Sequence, residues 1–290
     1  MIRCIAYYIF GNKMKISIIT INYNNDIGLR QTLDSVAIQT CTDFEHIIVD
    51  GSSTDASVEI IRTYGQLPIA NRRKIKWISE PDTGIYNAMN KGVRMACGEY
   101  ILMLNSGDYL VNEFVISRML PILDGIDIIQ GNTLSLINNV QYLNRGYGKS
   151  DISFIEVYQG YFLHQATFAK RELFERFGYF DENYKIGGDT VFYLKTLGFG
   201  DASFKYIDMN IAWYDMDGVS ASTDTKWMRQ RRKEDEMYDA LLSPRLLKLC
   251  KEDGPKIKAY DEITKYWLLR KLLSAMLLLT RWLEKKHGAS

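Results

Sequence analysis

Four polar clusters, each at the end of an apolar run, carry the side chains of this chain best suited to chemistry: Asn22-Tyr23, Asp50, Glu80 with Asp82, and Asp108. Carboxylates and amides offer acceptors for N–H and O–H groups and hard oxygen ligands for Mg2+ or Mn2+. Asp108 sits in the stretch LMLNSGDYL, residues 102–110, where an apolar run breaks into Asn105-Ser106-Gly107-Asp108. A single acid at such a break is either a turn residue or the protein's share of a cation site. The second is physically sufficient, because Mg2+ is commonly held by one or two carboxylates plus phosphate and water oxygens.

The elements that must position these clusters alternate along the chain. Residues 15–21 are a β-branched, continuous run, as expected of a central parallel strand covered on both faces; 44–49 read as a second such strand, and 74–79 and 99–104 as the third and fourth strands. Helices are expected over 27–39, from a cap at Ser53 or Thr54 to about 64, and over 85–97. Strand–loop–helix units in this order predict an α/β chain with an open, mostly parallel sheet joined by right-handed crossovers. Ligands of such sheets bind beyond the carboxyl ends of the strands, and all four polar clusters fall there. Any one of them could be a solvated loop; four on one edge point to a site. No GxGxxG follows the first strand and no GxxxxGK[ST] occurs, so neither glycine-rich phosphate cradle is present. A diphosphate on this edge would need a cation, which Asp108 suits.

The second half is patterned differently. Apolar segments at 126–130, 152–163 and 204–214 read as shorter, mixed strands between helices near 170–177 and 189–198, a sheet extended to receive a second substrate. A shift into KWMRQRRKEDEMY near 225 divides the chain into an extension over 1–14, a domain over 15–225 and a basic helical extension over 226–290. Charge divides in the same place. Residues 1–225 hold 20 basic and 26 acidic side chains, whereas 226–290 hold 16 and 9. The acidic body argues against a nucleic-acid partner, and the basic tail calls for an anionic surface. The four cysteines form no CxxC and read as reduced thiols. No run of 18 apolar residues occurs, so no transmembrane span is expected. These features suggest a cytoplasmic protein, or one peripheral on the inner face of the membrane.

In this order, KISIITINYNN, HIIVDGSSTD, ISEPDTGIYNAMNKGVRMACGEYILMLNSGD, HQATFAKRELFERFGYFDE and YKIGGD resemble the family 2 glycosyltransferases of GT-A fold, over about residues 15–220. The resemblance implies inverting transfer of a sugar from a nucleotide-diphosphate donor, usually with a divalent cation. It implies that Asn22 and Tyr23 line the base and ribose pocket and that Asp50 accepts a hydrogen bond from the base. Glu80, Asp82 and Lys91 fall in the region that touches the donor. Asp108 matches the last acid of the DxD-like metal motif, and Asp189 the general base. His164 and Gln165 match the acceptor side. Two departures stand out: Asn105 and Gly107 replace acids common in the metal motif, and Gly188 precedes Asp189 where Glu or Ala is common. The metal would therefore arrive largely with the nucleotide.

The QxxRW of processive synthases does not occur, which favours addition of a single sugar. Residues 265–283, KYWLLRKLLSAMLLLTRWL, carry a leucine face and a cationic face, the pattern of a helix lying in a membrane interface. That face could instead pack on the catalytic domain or on the second subunit of a homodimer. The expected activity is transfer of one sugar from a nucleotide sugar, UDP-sugars first, to a glycan or lipid-linked acceptor in cell-surface polysaccharide synthesis. The alternative is a degenerate module that holds a nucleotide sugar without transferring it, favoured by Asn105, Gly107 and Gly188.

Overall fold

A computed structural model describes residues 14–66, 74–160, 162–216, 218 and 224–253. Residues 1–13 and the amphipathic segment 265–283, with the membrane and subunit readings attached to it, lie outside the described residues. The chain divides into two compact units, residues 1–236 and 237–290.

The expected parallel half is present. Strands β1 (Ile16–Asn22), β2 (Phe44–Asp50), β3 (Ile75–Ser79) and β4 (Tyr100–Met103) alternate with helices α1 (Asp26–Ala37), α2 (Ser57–Gln66) and α3 (Ile85–Met95). β1 and β2 are buried along their whole length, as central strands covered on both faces are. On one face Leu29 and Leu33 of α1 and Ile61 and Tyr64 of α2 form a cluster with Ile48. Asn25 caps α1, its side chain accepting from Gly28 N. Ser53 and Thr54 do not cap α2; Asp55 Oδ1 accepts from Ser57 N at 3.0 Å instead.

Two buried polar residues of β2 are satisfied inside the sheet. His46 lies 2.9 Å from Thr20 Oγ1 and 3.1 Å from the Tyr64 hydroxyl. Glu45 accepts from Ser17 Oγ at 2.6 Å and Cys97 N at 2.5 Å, and pairs with Lys76 Nζ at 2.7 Å. Both lie away from the carboxyl edge of β2, so they tie strands together rather than meet a ligand.

Beyond β4 the sheet changes direction. The strands β5 (Tyr109–Leu110), β6 (Ile128–Ile137), β7 (Val140–Asn144), β8 (Thr167–Lys170) and β9 (Phe204–Trp213) complete a nine-stranded sheet of order β3-β2-β1-β4-β8-β6-β9-β5, with β7 on β6. β8 is antiparallel to β4 and to β6, β6 is parallel to β9, and β5 is antiparallel to β9. Hence β4, β6 and β9 run one way and β8 the other. The end of β4, the start of β8 and the end of β9 therefore share one edge. Of the segments expected as mixed strands, 204–214 holds β9, while 126–130 contains only the start of β6, which runs on to Ile137. The segment 152–163 does not form a strand. It holds helix α5 (Phe154–Gln159), opened by a capping box in which Ser153 accepts from Glu156 N and Glu156 accepts from Ser153 N.

The remaining helices are α4 (Val115–Met119), α6 (Glu172–Phe177), α7 (Gly188–Tyr193), α8 (Thr225–Asp239) and α9 (Pro244–Lys248). The helix expected over 189–198 is α7 followed by a π-helical turn, Leu194–Gly198. Among the described residues no helix is long and apolar enough to cross a membrane. Cys41 and Cys250 are free thiols, while Cys97 is disulfide-bonded, which departs from the expectation of four reduced cysteines.

One close approach tests the register of the parallel half. A Cβ at Gly98 would lie 2.5 Å from Ser17 N and 2.7 Å from Ile16 C, both backbone atoms that cannot turn aside. Gly98→Ala should therefore lower stability by about 1–3 kcal/mol through overpacking. A urea-unfolding midpoint equal to that of the unsubstituted protein would contradict this packing.

Candidate functional site

The carboxyl ends of β1, β2 and β3 are held by one acid. Asp50 stands in register with Asn22 and Ser79, and is fully buried. It accepts from Asn22 Nδ2 at 2.9 Å, Ser53 N at 2.9 Å, Ser53 Oγ at 2.5 Å and Ser79 Oγ at 2.7 Å. Four donors match the acceptor sites of a carboxylate. Asp50 thus knots three strand ends, and a base N–H could reach it only by displacing one of these donors. Tyr23, 66% exposed, stands at the mouth of the same edge. A Cβ at Gly51 would meet Asp82 Oδ2 at 2.5 Å and the Tyr23 ring at 3.2 Å, so this glycine lets Asp82 and Tyr23 close on one backbone position.

Glu80, Asp82 and Lys91 form one loop assembly. Lys91 Nζ donates to Pro81 O at 2.7 Å and pairs with Glu80 at 2.9 Å. Asp82 Oδ1 accepts from Gly84 N at 2.9 Å, where the chain takes φ 137° to enter α3. The sequence did not point to Lys185, whose Nζ reaches across to donate to Thr83 O at 3.0 Å.

The second cluster gathers where β4 ends and β8 begins. The 3-10 turn His164–Ala166 leads into β8. Its His164 Nε2 lies 3.2 Å from Asn105 Nδ2, and its Nδ1 lies 3.3 Å from Asp189 Oδ2. Asp189, in the first turn of α7, also receives the Tyr86 hydroxyl on Oδ1 at 3.0 Å. Gly188 is required beside it, because a Cβ there would lie 2.8 Å from the Tyr86 ring. Asp108 is buried, and its Oδ1 accepts from Asp215 N at 2.9 Å. The pairing of Tyr109 with Trp213 between β5 and β9 is what brings residue 215 there. Gln165 is buried at the same turn. The acids at 108 and 189 and the histidine are thus joined on one edge, while Asn22, Tyr23, Asp50, Glu80, Asp82 and Lys91 belong to the neighbouring strand ends.

The charges of this cluster depend on one another. Burial pushes the Asp108 carboxyl up, to about 7, with the nearby Asp215 charge adding to it and His164 and the Asp215 N–H only partly opposing. Burial also raises Asp189, but His164, Tyr86 and the Thr190 N–H outweigh it and hold this carboxyl below its usual value. For His164 burial lowers the affinity for a proton, and the charges of Asp189 and Asp108 more than restore it. Asn105 suits both states of the imidazole. Its Nδ2 donates to a neutral ring. Its Oδ1, buried without a partner in the orientation described, accepts from an imidazolium once the amide turns over.

Asp108 also supplies the test of fit for a divalent cation. A buried carboxyl with one backbone donor is under-compensated, and a hard cation is the remaining way to keep it ionised. Among the described residues no group of three His, Cys, Asp or Glu side chains could hold a metal alone. The residues therefore fit a cation that shares Asp108 with phosphate oxygens. Asp215, Tyr86 and Lys185 went unnoticed in the sequence. The only signal for Asp215 was its place just beyond the apolar run 204–214.

The family model for glycosyl transferase family 2 matches residues 17–180. A PGL/p-HBAD biosynthesis glycosyltransferase of Mycobacterium bovis is 28% identical over 214 residues, which span 71% of this chain and 79% of that protein. S. aureus TarS 1-349, solved in complex with UDP-GlcNAc, is similar in fold with a TM-score of 0.64 at 19% identity, covering 82% of this chain and 70% of that one. Mannosyltransferase PcManGT from Pyrobaculum calidifontis, solved with GDP-Man and Mn2+, gives 0.59 at 16% identity, covering 92% and 75%.

A stability measurement reads the state of Asp108 directly. Its folded pKa, about 7, is above the usual 3.8. Between these values the folded chain binds more protons than the unfolded one, so this group lowers stability as pH rises. With chelator present, Asp108→Asn should match the unsubstituted protein near pH 4 and exceed it by roughly 2–4 kcal/mol above pH 7. A gap that does not change with pH would show that Asp108 is not held in this way.

Proposed function

The chain belongs to glycosyl transferase family 2, and from that premise we propose that it inverts the anomeric centre as it moves one sugar from a UDP-sugar to a hydroxyl of a glycan or lipid-linked acceptor, in cell-surface polysaccharide synthesis. The observation that supports this most is the junction of Asp108, His164 and Asp189 on one sheet edge, beside strand ends free of any glycine-rich phosphate cradle. Asn22, Tyr23 and Asp50 form the base and ribose side of the donor pocket, and Glu80, Asp82 and Lys91 its neighbouring wall. The organisation round Asp50 suits a base that is bordered, rather than gripped, by this carboxylate. UDP stands first among the nucleotides because TarS was solved with UDP-GlcNAc; the GDP-Man complex of PcManGT makes GDP the alternative to be tested.

Asp189 acts as the base. Its carboxyl is held ionised by His164 and Tyr86, so it is ready to accept the proton of the attacking hydroxyl. That hydroxyl becomes acidic as its oxygen bonds to the anomeric carbon. The bond from that carbon to the diphosphate breaks, its electron pair leaves with the diphosphate, and the proton passes to Asp189. His164, beside Asp189 Oδ2, supports the carboxyl by hydrogen bond as it takes up that proton. Asp108 would hold a divalent cation, Mg2+ or Mn2+, which when bound neutralises charge developing on the diphosphate. Gln165 and His164 border the acceptor side.

Asp189→Asn should keep the fold and UDP affinity while lowering turnover by at least ~100-fold. Calorimetry with UDP, with and without Mn2+, should give tight binding only when both are present, and Mn2+ alone should bind weakly. Screening UDP- and GDP-sugars for release of the nucleotide then identifies the donor. Metal-independent UDP affinity with no nucleotide released from any donor would favour a module that binds without transferring.

A further inference from the structure

Helix α8 is held to the catalytic unit by a carboxylate. Among its residues Glu234 alone is fully buried, whereas a helix docked by ordinary packing buries an apolar stripe. Glu234 Oε1 accepts from Lys185 N at 2.6 Å and Gln230 Nε2 at 2.6 Å. Its Oε2 accepts from Ile186 N at 3.0 Å and Gly187 N at 2.9 Å. Three consecutive backbone N–H groups thus converge on one anion, at the entrance to α7. Four donors fill the acceptor sites of the carboxylate and offset the cost of burying it.

The segment gripped in this way is the one that aims Asp189. Gly187 is the residue before α7, Gly188 packs on the Tyr86 ring, and Asp189 follows. From the other side the Tyr86 hydroxyl meets both Ile186 O and Asp189 Oδ1. Residues 185–189 are therefore clamped between a carboxylate on α8 and a tyrosine on α3. A loop held only by Tyr86 could rotate about residues 185–188 and carry the base away from His164.

We propose that Glu234 is a positioning residue for transfer: by binding the N–H groups of Lys185, Ile186 and Gly187 it fixes the orientation of Asp189 toward His164 and the attacking hydroxyl. This rests on Asp189 being the base. Glu234 touches neither donor nor acceptor in this role. Removing it should misplace the base and leave nucleotide binding intact, and misplacement by about 1 Å can cost ~100-fold in rate.

The test uses the full chain with UDP, Mn2+ and the donor that releases nucleotide. Glu234→Gln and Glu234→Ala should lower turnover by ~10- to ~100-fold, with KM for the donor and Kd for UDP within about twofold of the unsubstituted values. Gln230→Met, which removes only the side-chain donor to Glu234, should lower turnover by about two- to fivefold and keeps the test available should the Glu234 variants not fold. The imidazole Nδ1 proton of His164, read by NMR, should lose the downfield position given by Asp189 in the Glu234 variants. Turnover and the His164 signal both unchanged in the folded Glu234 variants, or in Gln230→Met alone if those do not fold, would overturn the proposal. So would loss of UDP affinity in proportion to turnover. Asp189→Asn, measured in parallel, separates the two failures. If it retains turnover, the assignment of the base is wrong; if it is inactive while the Glu234 variants are normal, only the role of Glu234 is.

Discussion

A carboxylate withdrawn from water must be met by hydrogen-bond donors or by a cation, and the buried acids of this chain meet that demand to different degrees. Asp50 has four donors, from β1, β3 and the loop after β2, and Glu234 has four from one loop and its own helix. Glu45 has the Lys76 ammonium beside its hydroxyl and backbone donors. These three are complete, and each holds pieces of backbone in place. Asp189 has a side-chain donor on each oxygen and the Thr190 N–H, which together hold it ionised. Asp108 has a single backbone donor and is the least provided for. The gradation is independent of motif: the filled acids brace the frame, and the incompletely filled ones, Asp108 and Asp189, stand beside His164.

The fold is arranged so that this difference can exist on one edge. Parallel strands bring the ends of β1, β2 and β3 together round Asp50, and a rigid knot there leaves Tyr23 and Asp82 free to flank Gly51. The antiparallel half then delivers the histidine and the second acid from chain segments far from Asp108 in sequence. Asn105 links the two halves, since it follows β4 and touches the residue that precedes β8. The loss of an acid at 105 is thus a gain for His164, because an amide can turn to serve either protonation state of the ring and a carboxylate cannot.

The parallel half was legible because a strand covered on both faces is rich in apolar and β-branched residues, as ISIITIN and FEHIIVD are despite the buried polar groups they carry. Asp108 stood out at a strand end and Asp189 in YKIGGD, and the structure brings both beside His164. The segment 152–163 misled because its apolar content outweighed the local capping box, Ser153 with Glu156, which was there to be read. Asp215 and Lys185 could not be read, since each acts through contacts about a hundred residues away in sequence. Glu234 was hidden for another reason. It stands in the run RQRRKEDEMY, where the surrounding charges are solvated and nothing local marks the one that is buried.

The reversal of strand direction between β4 and β8 changes how such a chain must be searched for its working residues. Where strands run parallel, chemistry gathers in the segment that follows each strand, and a reader moving from N to C terminus meets apolar residues first and polar ones second. At β8 the order inverts: the polar residue that meets Asn105 and Asp189, His164, comes before the strand. Substitutions at the front of β8 and behind β4 or β9 should therefore covary as one surface, although sequence places them on opposite sides of their strands. Sequence change can accumulate in the antiparallel half, at strand beginnings and ends alike, while the knot at Asp50 holds the ends of β1, β2 and β3 together.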